Sequence, residues 1–299
     1  MIQLYLAPMH EINCLSFRLL CKKYEADVLY TPMINVKAYL NNPENFKWLG
    51  KEKPLVVQLI GSDSSDFKEC VKLIKNCDYI DLNAGCPSTD NIKNGSGAAL
   101  IKNLDNFKEI IKTMAKYSNI PVSVKIRLGW RKDESLKIAR IAEECGAERL
   151  AVHARLFGSN YSIPANWDAI KKIKSAIKIP VIANGDIDSF DKVKECQKIT
   201  NADGLMIGRE AMRNPFVFKD IKNGFKNKEI INHSKEDRIK LILEFIRLYK
   251  KNEIYSNAEL KNHCIWLSNG FNGAAAMRNN LGKCKDEKEI ISIIKEIKK

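Results

Sequence analysis

Several patterns are missing from this 299-residue sequence, and each absence excludes something. Nine cysteines are scattered along it: Cys14, Cys21, Cys70, Cys77, Cys86, Cys145, Cys196, Cys264 and Cys284. None belongs to a Cys-x-x-Cys pair, and no histidine cluster lies beside them. Structural zinc sites draw on such close pairs, so no metal site is expected. No apolar run is long enough to span a bilayer as a helix. No signal-peptide pattern opens the chain, and the cysteine count is odd. Together these predict a reducing, cytoplasmic setting.

What is present points to a folded, basic protein. Hydrophobic residues make up 45%, enough for a sizeable core and too many for global disorder. Lysine and arginine number 50 against 36 acidic residues, a formal net charge of +14. Such an excess favours a polyanionic partner, nucleic acid ahead of a membrane surface. A Lys- and Ile-rich composition with evenly spread charge would give the same total.

Short apolar runs alternate with helical periodicity. Strands are predicted at 2–7, 28–31, 55–60, 79–82, 122–128, 149–153, 181–183 and 204–207. Helices are predicted at 15–24, 66–75, 104–117, 134–145, 167–177 and 189–198, with a loop around Asn41-Asn42-Pro43. The strands are continuously apolar, as in a parallel sheet buried on both faces. Eight β–α units in roughly 230 residues predict a (β/α)8 TIM barrel. A doubly wound open sheet is the rival, weakened because no Gly-x-Gly-x-x-Gly follows the first strand. After Gly224 the strand patterns cease. Helices are predicted at 235–251, 258–268, 274–280 and 287–298, with Trp266 and Phe271 interleaved among basic residues. The division expected is a barrel over 1–228 and a small all-helical domain over 229–299.

Chemically capable residues fall at the strand ends, which converge on one mouth of such a barrel. Pro8-Met9 follows the first strand and Gln58 lies near the end of the third. Asn83 and Cys86 follow the fourth, where Gly85 and Pro87 display the cysteine on a turn. Lys125 and Arg127 close the fifth, and His153 and Arg155 the sixth. Asn184-Gly185-Asp186 follows the seventh and Gly208-Arg209 the eighth. Each has an ordinary explanation: a free cysteine is usually an apolar filler, and a lone histidine is usually a satisfied core residue. Such groups at seven of eight ends are harder to set aside. The last two turns sit where barrels often bind phosphate, and Lys125 suits a flavin ring that gains negative charge on reduction. FMN is the economical cofactor.

These residues resemble the tRNA-dihydrouridine synthase family over essentially the whole chain. The likeness rests on 7–9 (APM) with Phe17-Arg18, 58–61 (QLIG), 81–87 (DLNAGCP), 95–100 (GSGAAL) and 124–129 (VKIRLG). It continues through 153–155 (HAR), 182–186 (IANGD) and 202–209 (ADGLMIGR) with Asn214-Pro215. In number and order these motifs are specific, although any one alone would be weak. Departures occur at Asn13-Cys14, at Tyr161–Trp167 and at Lys261-Asn262-His263. The resemblance implies an FMN-dependent barrel whose C-terminal helices help hold tRNA, and reduction of the uridine C5=C6 bond with NADPH as donor. It further implies that Cys86 is the proton donor. Pro8, Met9, Gln58, Lys125, His153, Asn184, Gly185, Asp186, Gly208 and Arg209 become flavin contacts, and Asn83 and Arg155 uracil or flavin contacts. The residue chemistry agrees: a thiol, largely protonated near neutrality, is a competent general acid. A stacked tRNA base would have to be extruded to reach it. The rivals are an FMN-dependent dehydrogenase of a free pyrimidine and a non-catalytic tRNA-binding protein.

Overall fold

The computed structural model describes residues 2–46, 48 and 50–296. Its strands are β1 (Gln3–Leu6), β2 (Leu29–Tyr30), β3 (Ile34–Asn35), β4 (Leu55–Ile60), β5 (Tyr79–Ala84), β6 (Val122–Arg127), β7 (Arg149–His153), β8 (Val181–Asn184) and β9 (Gly204–Ile207). All pairings are parallel, in the order β1-β9-β8-β7-β6-β5-β4-β2, and β3 adds to the far end of β4. The ring closes between β1 and β2, where the Leu6 N–H donates to the Val28 carbonyl at 2.9 Å and the Val28 N–H to that of Leu4 at 3.2 Å. Setting β3 aside, this is the eight-stranded (β/α)8 barrel that the strand pattern predicts.

Two layers of apolar side chains follow from the two-residue period of a strand. Outward residues such as Leu59, Leu82, Val124 and Leu150 pack against helices. Inward residues Tyr5, Val28, Tyr30, Val56, Ala151, Ile182 and Met206 fill the lower barrel. Gly204 makes room there, because a Cβ would lie 2.5 Å from the Tyr5 ring. The interior also holds the Arg149 guanidinium, 3.7 Å from the Tyr79 ring centroid. Above this plugged lower barrel, a cavity opens at the C-terminal ends of the strands.

The C-terminal segment is helical at Lys235–Asn252, Asn257–Leu267, Ala274–Lys283 and Glu287–Glu296. Residues 297–298 of the last predicted helix lie outside the described residues. Ser234 and Asp237 form a capping box that fixes where the first of these helices starts. It packs along Leu15–Lys23 of the barrel. The two share one buried apolar cluster that includes Leu20, Ile242 and Phe245, and polar contacts add to the joint: Glu253 Oε1 accepts from the Ser16 N–H at 2.7 Å, and Arg238 Nη1 donates to Asn214 Oδ1 at 2.8 Å. No helix among the described residues is long and apolar enough to cross a membrane.

Differences from the sequence pattern are local. The predicted loop near Asn42 is flanked by a helix, Val36–Asn41, and a 3-10 turn, Pro43–Asn45. The Asn35 side chain caps that helix by accepting from the Lys37 and Ala38 N–H groups, which the run of asparagines concealed. β5 and β8 extend to Ala84 and Asn184, so Asn83 and Asn184 belong to strands rather than to loops.

Candidate active site

At the C-terminal mouth lies a cavity of about 370 Å³, a size typical of small-molecule sites. Its wall includes Pro8, Met9, Gln58, Asn83, Cys86, Lys125, His153, Asn184, Gly185, Asp186, Gly208 and Arg209. Twelve of the thirteen residues that the resemblance gives a role therefore meet in one place.

Cys86 stands on the loop after β5, half-buried. Its Sγ accepts from Asn91 Nδ2 at 3.2 Å. Two contacts hold the loop backbone. Asn83 Oδ1 accepts from the N–H groups of Gly85 and Cys86 at 3.0 and 2.9 Å. The Ala98 N–H donates to the Cys86 carbonyl at 3.0 Å. Gly97 is required for the second: its φ is +62°, and a Cβ there would lie 2.9 Å from the Cys86 carbonyl oxygen. Arg127 braces the same loop, its Nε donating to the Gly85 carbonyl at 2.8 Å.

The adjoining strands β6–β8 carry charge and an unsatisfied imidazole. Asn184 Nδ2 donates to the Met206 carbonyl at 2.8 Å, which turns Oδ1 toward His153 Nδ1 at 3.0 Å and Lys125 Nζ at 3.4 Å. His153 therefore carries its proton on Nδ1, and its buried Nε2 has no hydrogen-bond partner among the described residues. Burial, with the nearby charges of Lys125 and Arg127, pushes His153 down to about 2 and keeps it neutral. Burial and the Arg127 charge push Lys125 down to about 8 against the opposing pull of Asp81.

Beside them, Gly185 has φ +122° and Asp186 φ +54°, the latter a strained setting for a residue with a side chain. Arg155 holds it there, with Nη2 2.7 Å from both Asp186 carboxylate oxygens. The Ala165 N–H adds a bond at 2.8 Å and Arg209 Nη2 one at 3.0 Å. Partial burial pushes the Asp186 carboxyl up, but these bonds and the two guanidinium charges outweigh it and hold the carboxyl low.

Arg155 is the exception among the predicted residues. It is absent from the cavity wall, with its side chain 1% exposed. Its Nε donates to the Ile163 carbonyl at 2.8 Å, so it ties the 161–163 loop to Asp186. Its Nη1 is buried and has no hydrogen-bond partner among the described residues.

The sequence pattern did not single out Met33 or Tyr161, and gave Arg127 a place at the mouth but no role, although all three line the cavity. Arg127 was legible as a basic residue at a strand end. Tyr161 lies in an aperiodic loop, held under the Arg209 guanidinium at 4.2 Å from its ring centroid. Away from the mouth, the fold gathers Cys14, Glu259 and His263 within 4.8 Å. These groups are already engaged at the joint between barrel and helices. The His263 nitrogens lie 2.9 Å from the Glu259 and Ile12 carbonyl oxygens, and Glu259 Oε2 accepts from the Tyr249 hydroxyl at 2.7 Å.

The donor set suits a flavin mononucleotide. It offers a cation and an unpartnered buried nitrogen on one wall, amides at Gln58 and Asn184, and side-chain-free backbone at Gly185 and Gly208 beside a guanidinium.

Comparison with known proteins bears on the family and the fold. The family model described as dihydrouridine synthase (Dus) matches residues 5–299. The tRNA-dihydrouridine synthase B of Pasteurella multocida (strain Pm70) is 31% identical over 300 residues, covering 96% of this chain and 90% of that protein. A probable tRNA-dihydrouridine synthase of Aquifex aeolicus (strain VF5) is 30% identical over 308 residues, covering 99% and 96%. Among solved structures, histamine dehydrogenase from Rhizobium sp. 4-9 superposes with a TM-score of 0.54 at 11% identity, over 82% of this chain and 49% of that one. A 2-naphthoyl-CoA reductase complex gives 0.57 at 10%, over 76% and 50%. At such identities these structures bear on the fold alone.

Proposed function

The chain belongs to the dihydrouridine synthase family, and from that premise we propose that it reduces the C5=C6 bond of uridines in tRNA to 5,6-dihydrouridine, with FMN as cofactor and NADPH as electron donor. The observation that carries this reading is one cavity wall joining a displayed thiol, Cys86, to Lys125 and the unpartnered Nε2 of His153.

In this account hydride for C6 of the uracil comes from reduced FMN when it is bound. The remaining work falls to the chain. Lys125 would set positive charge against the flavin ring, and neutral His153, Gln58 and Asn184 would orient it by hydrogen bonds. Pro8 and Met9 would pack against it. Gly185 and Gly208 would leave backbone open to the phosphate, and Asp186, bonded to Arg209 Nη2 at 3.0 Å, would aim that guanidinium there. Asn83 would face the base. Cys86 then gives its S–H proton to C5, saturating the bond. The Asn91 amide, 3.2 Å from Sγ, stabilises the resulting thiolate until solvent returns a proton.

The target base must leave its stack to reach this depth. The formal charge of +14 supports binding to the tRNA backbone, and residues 229–299 form the domain that helps hold it. The reading places the protein in the cytoplasm, with tRNA as partner and no protein partner or membrane required.

Cys86→Ala tests the assignment. It is expected to retain flavin and tRNA and to lose most turnover. Undiminished uridine reduction by that variant would remove Cys86 from the mechanism. Salt separates the substrate classes: activity on tRNA falls steeply as ionic strength rises, whereas a dehydrogenase of free pyrimidines would be nearly indifferent.

A further inference from the structure

We propose that Asp81, which reaches neither the cavity nor any reacting atom, is the positioning residue that sets the direction of the Gln58 and Asn83 amides linking the barrel interior to the Cys86 loop. The inference deepens the functional reading above and rests on it only where turnover is the readout.

The argument is one of donors and acceptors. An ionised carboxylate only accepts hydrogen bonds. Asp81 Oδ1 accepts from the Ser123 hydroxyl at 2.5 Å and Oδ2 from Gln58 Nε2 at 2.8 Å. The nitrogen end of the Gln58 amide must therefore face Asp81, which sends Oε1 toward Asn83. That oxygen accepts from Asn83 Nδ2 at 2.8 Å. The Asn83 amide is turned to match, with Oδ1 toward the loop, where it accepts from Gly85 and Cys86, so the carboxylate at one end and the backbone donors at the other demand the same direction. Reversing any link would set two donors or two acceptors against each other among fully or nearly buried groups. Asp81 is 0%, Gln58 1% and Asn83 7% exposed. Buried polar mismatches of this kind are costly.

Geometry allows the chain because the three residues occupy adjoining register positions. Gln58 of β4 is paired with Asp81 of β5, and Asn83 lies two residues further along β5 on the same inward face. Burial pushes the Asp81 carboxyl up, while the bonds from Ser123 and Gln58 and the charges of Arg149 and Lys125 oppose it.

The test compares Asp81→Asn with Asp81→Leu. The asparagine can still present an oxygen to Gln58 and an amide to Ser123, so it preserves the direction of the chain. The leucine cannot. Asp81→Ser, whose hydroxyl is too short to reach Gln58, replaces the leucine if that variant does not fold. Three readouts are taken: kcat and KM for tRNA, flavin absorbance, and the iodoacetamide alkylation rate at Cys86, located by peptide mass spectrometry. We expect Asp81→Asn to stay close to wild type in all three. Asp81→Leu should lose about tenfold or more in kcat with little change in KM, and its Cys86 alkylation rate should change severalfold. Wild-type kcat and alkylation in the leucine or serine variant would overturn the proposal. So would an asparagine variant as impaired as the leucine, since charge rather than direction would then be what matters. Alkylation rates in the predicted order from a protein with no activity on tRNA would uphold the positioning role and reject the substrate.

Discussion

Gly97→Ala puts one methyl group where the site leaves no room for it. Gly97 is buried at φ +62°, and the new Cβ would lie 2.9 Å from the Cys86 carbonyl oxygen and 3.1 Å from the Cys86 Cβ. The left-handed backbone alone costs a residue with a side chain about 1–2 kcal/mol. Relieving the contact moves the Cys86 carbonyl and weakens its bond from the Ala98 N–H, roughly a further 1 kcal/mol. With residual overpacking the loss comes to about 2–4 kcal/mol, a fall in Tm of roughly 5–15 °C for a chain of this size. Because the displaced atoms belong to the Cys86 loop, kcat should fall at least tenfold even at temperatures where the variant is fully folded. Gly282→Ala is the control. It lies in the helix Ala274–Lys283 with nothing within 4 Å of a new Cβ, and it should stabilise by about 0.4–1 kcal/mol. Thermal denaturation and tRNA turnover of both variants decide the matter. A Gly97→Ala protein with the wild-type Tm and kcat would refute the reasoning.

The electrostatics of the site give two further expectations. Lys125 is held at about 8, below the ordinary lysine value of about 10.4. Its buried charge therefore opposes folding fully below pH 8, and the opposition fades as pH rises from about 8 to about 10.4. Lys125→Met should raise the denaturation midpoint of the flavin-free protein at pH 7, lose that advantage above about pH 10.4, and retain flavin poorly. A flavin-free variant no more stable than wild type at pH 7 would contradict this. His153, held at about 2, stays neutral while the unfolded chain takes up a proton below about pH 6.5, so its contribution to stability falls as pH drops through that value. The His153 ring signals in NMR should not move between pH 5 and 8, and their titration in that range would contradict the burial argument.

The barrel was legible because it repeats. Gly204–Ile207 and Arg149–His153 are apolar runs bounded by turn residues, and the structure has them at those bounds. The site was legible to the extent that it lies at strand ends, where the fold converges whatever the loops do. Arg155 shows the limit of that rule: it follows β7 as His153 ends it, yet the strained turn at Asp186 draws its guanidinium out of the cavity wall. Tyr161 shows the converse, since a residue on an aperiodic loop reaches the mouth only because Arg155 and Arg209 hold that loop. The chain of direction from Asp81 was invisible for another reason. It depends on Gln58 and Asp81 being cross-strand partners, 23 positions apart in sequence. The cluster of Cys14, Glu259 and His263 is likewise created by the docking of the helices on the barrel, not by any spacing.

The central claim is best tested by nucleoside mass spectrometry of tRNA incubated with the protein, FMN and NADPH. The account predicts a gain of two hydrogens on uridine, absent with Cys86→Ala, and fragment mapping would give the position. Unchanged tRNA, from a protein whose bound flavin is reduced by NADPH and reoxidised by free pyrimidines, would contradict the account and identify a small-molecule dehydrogenase.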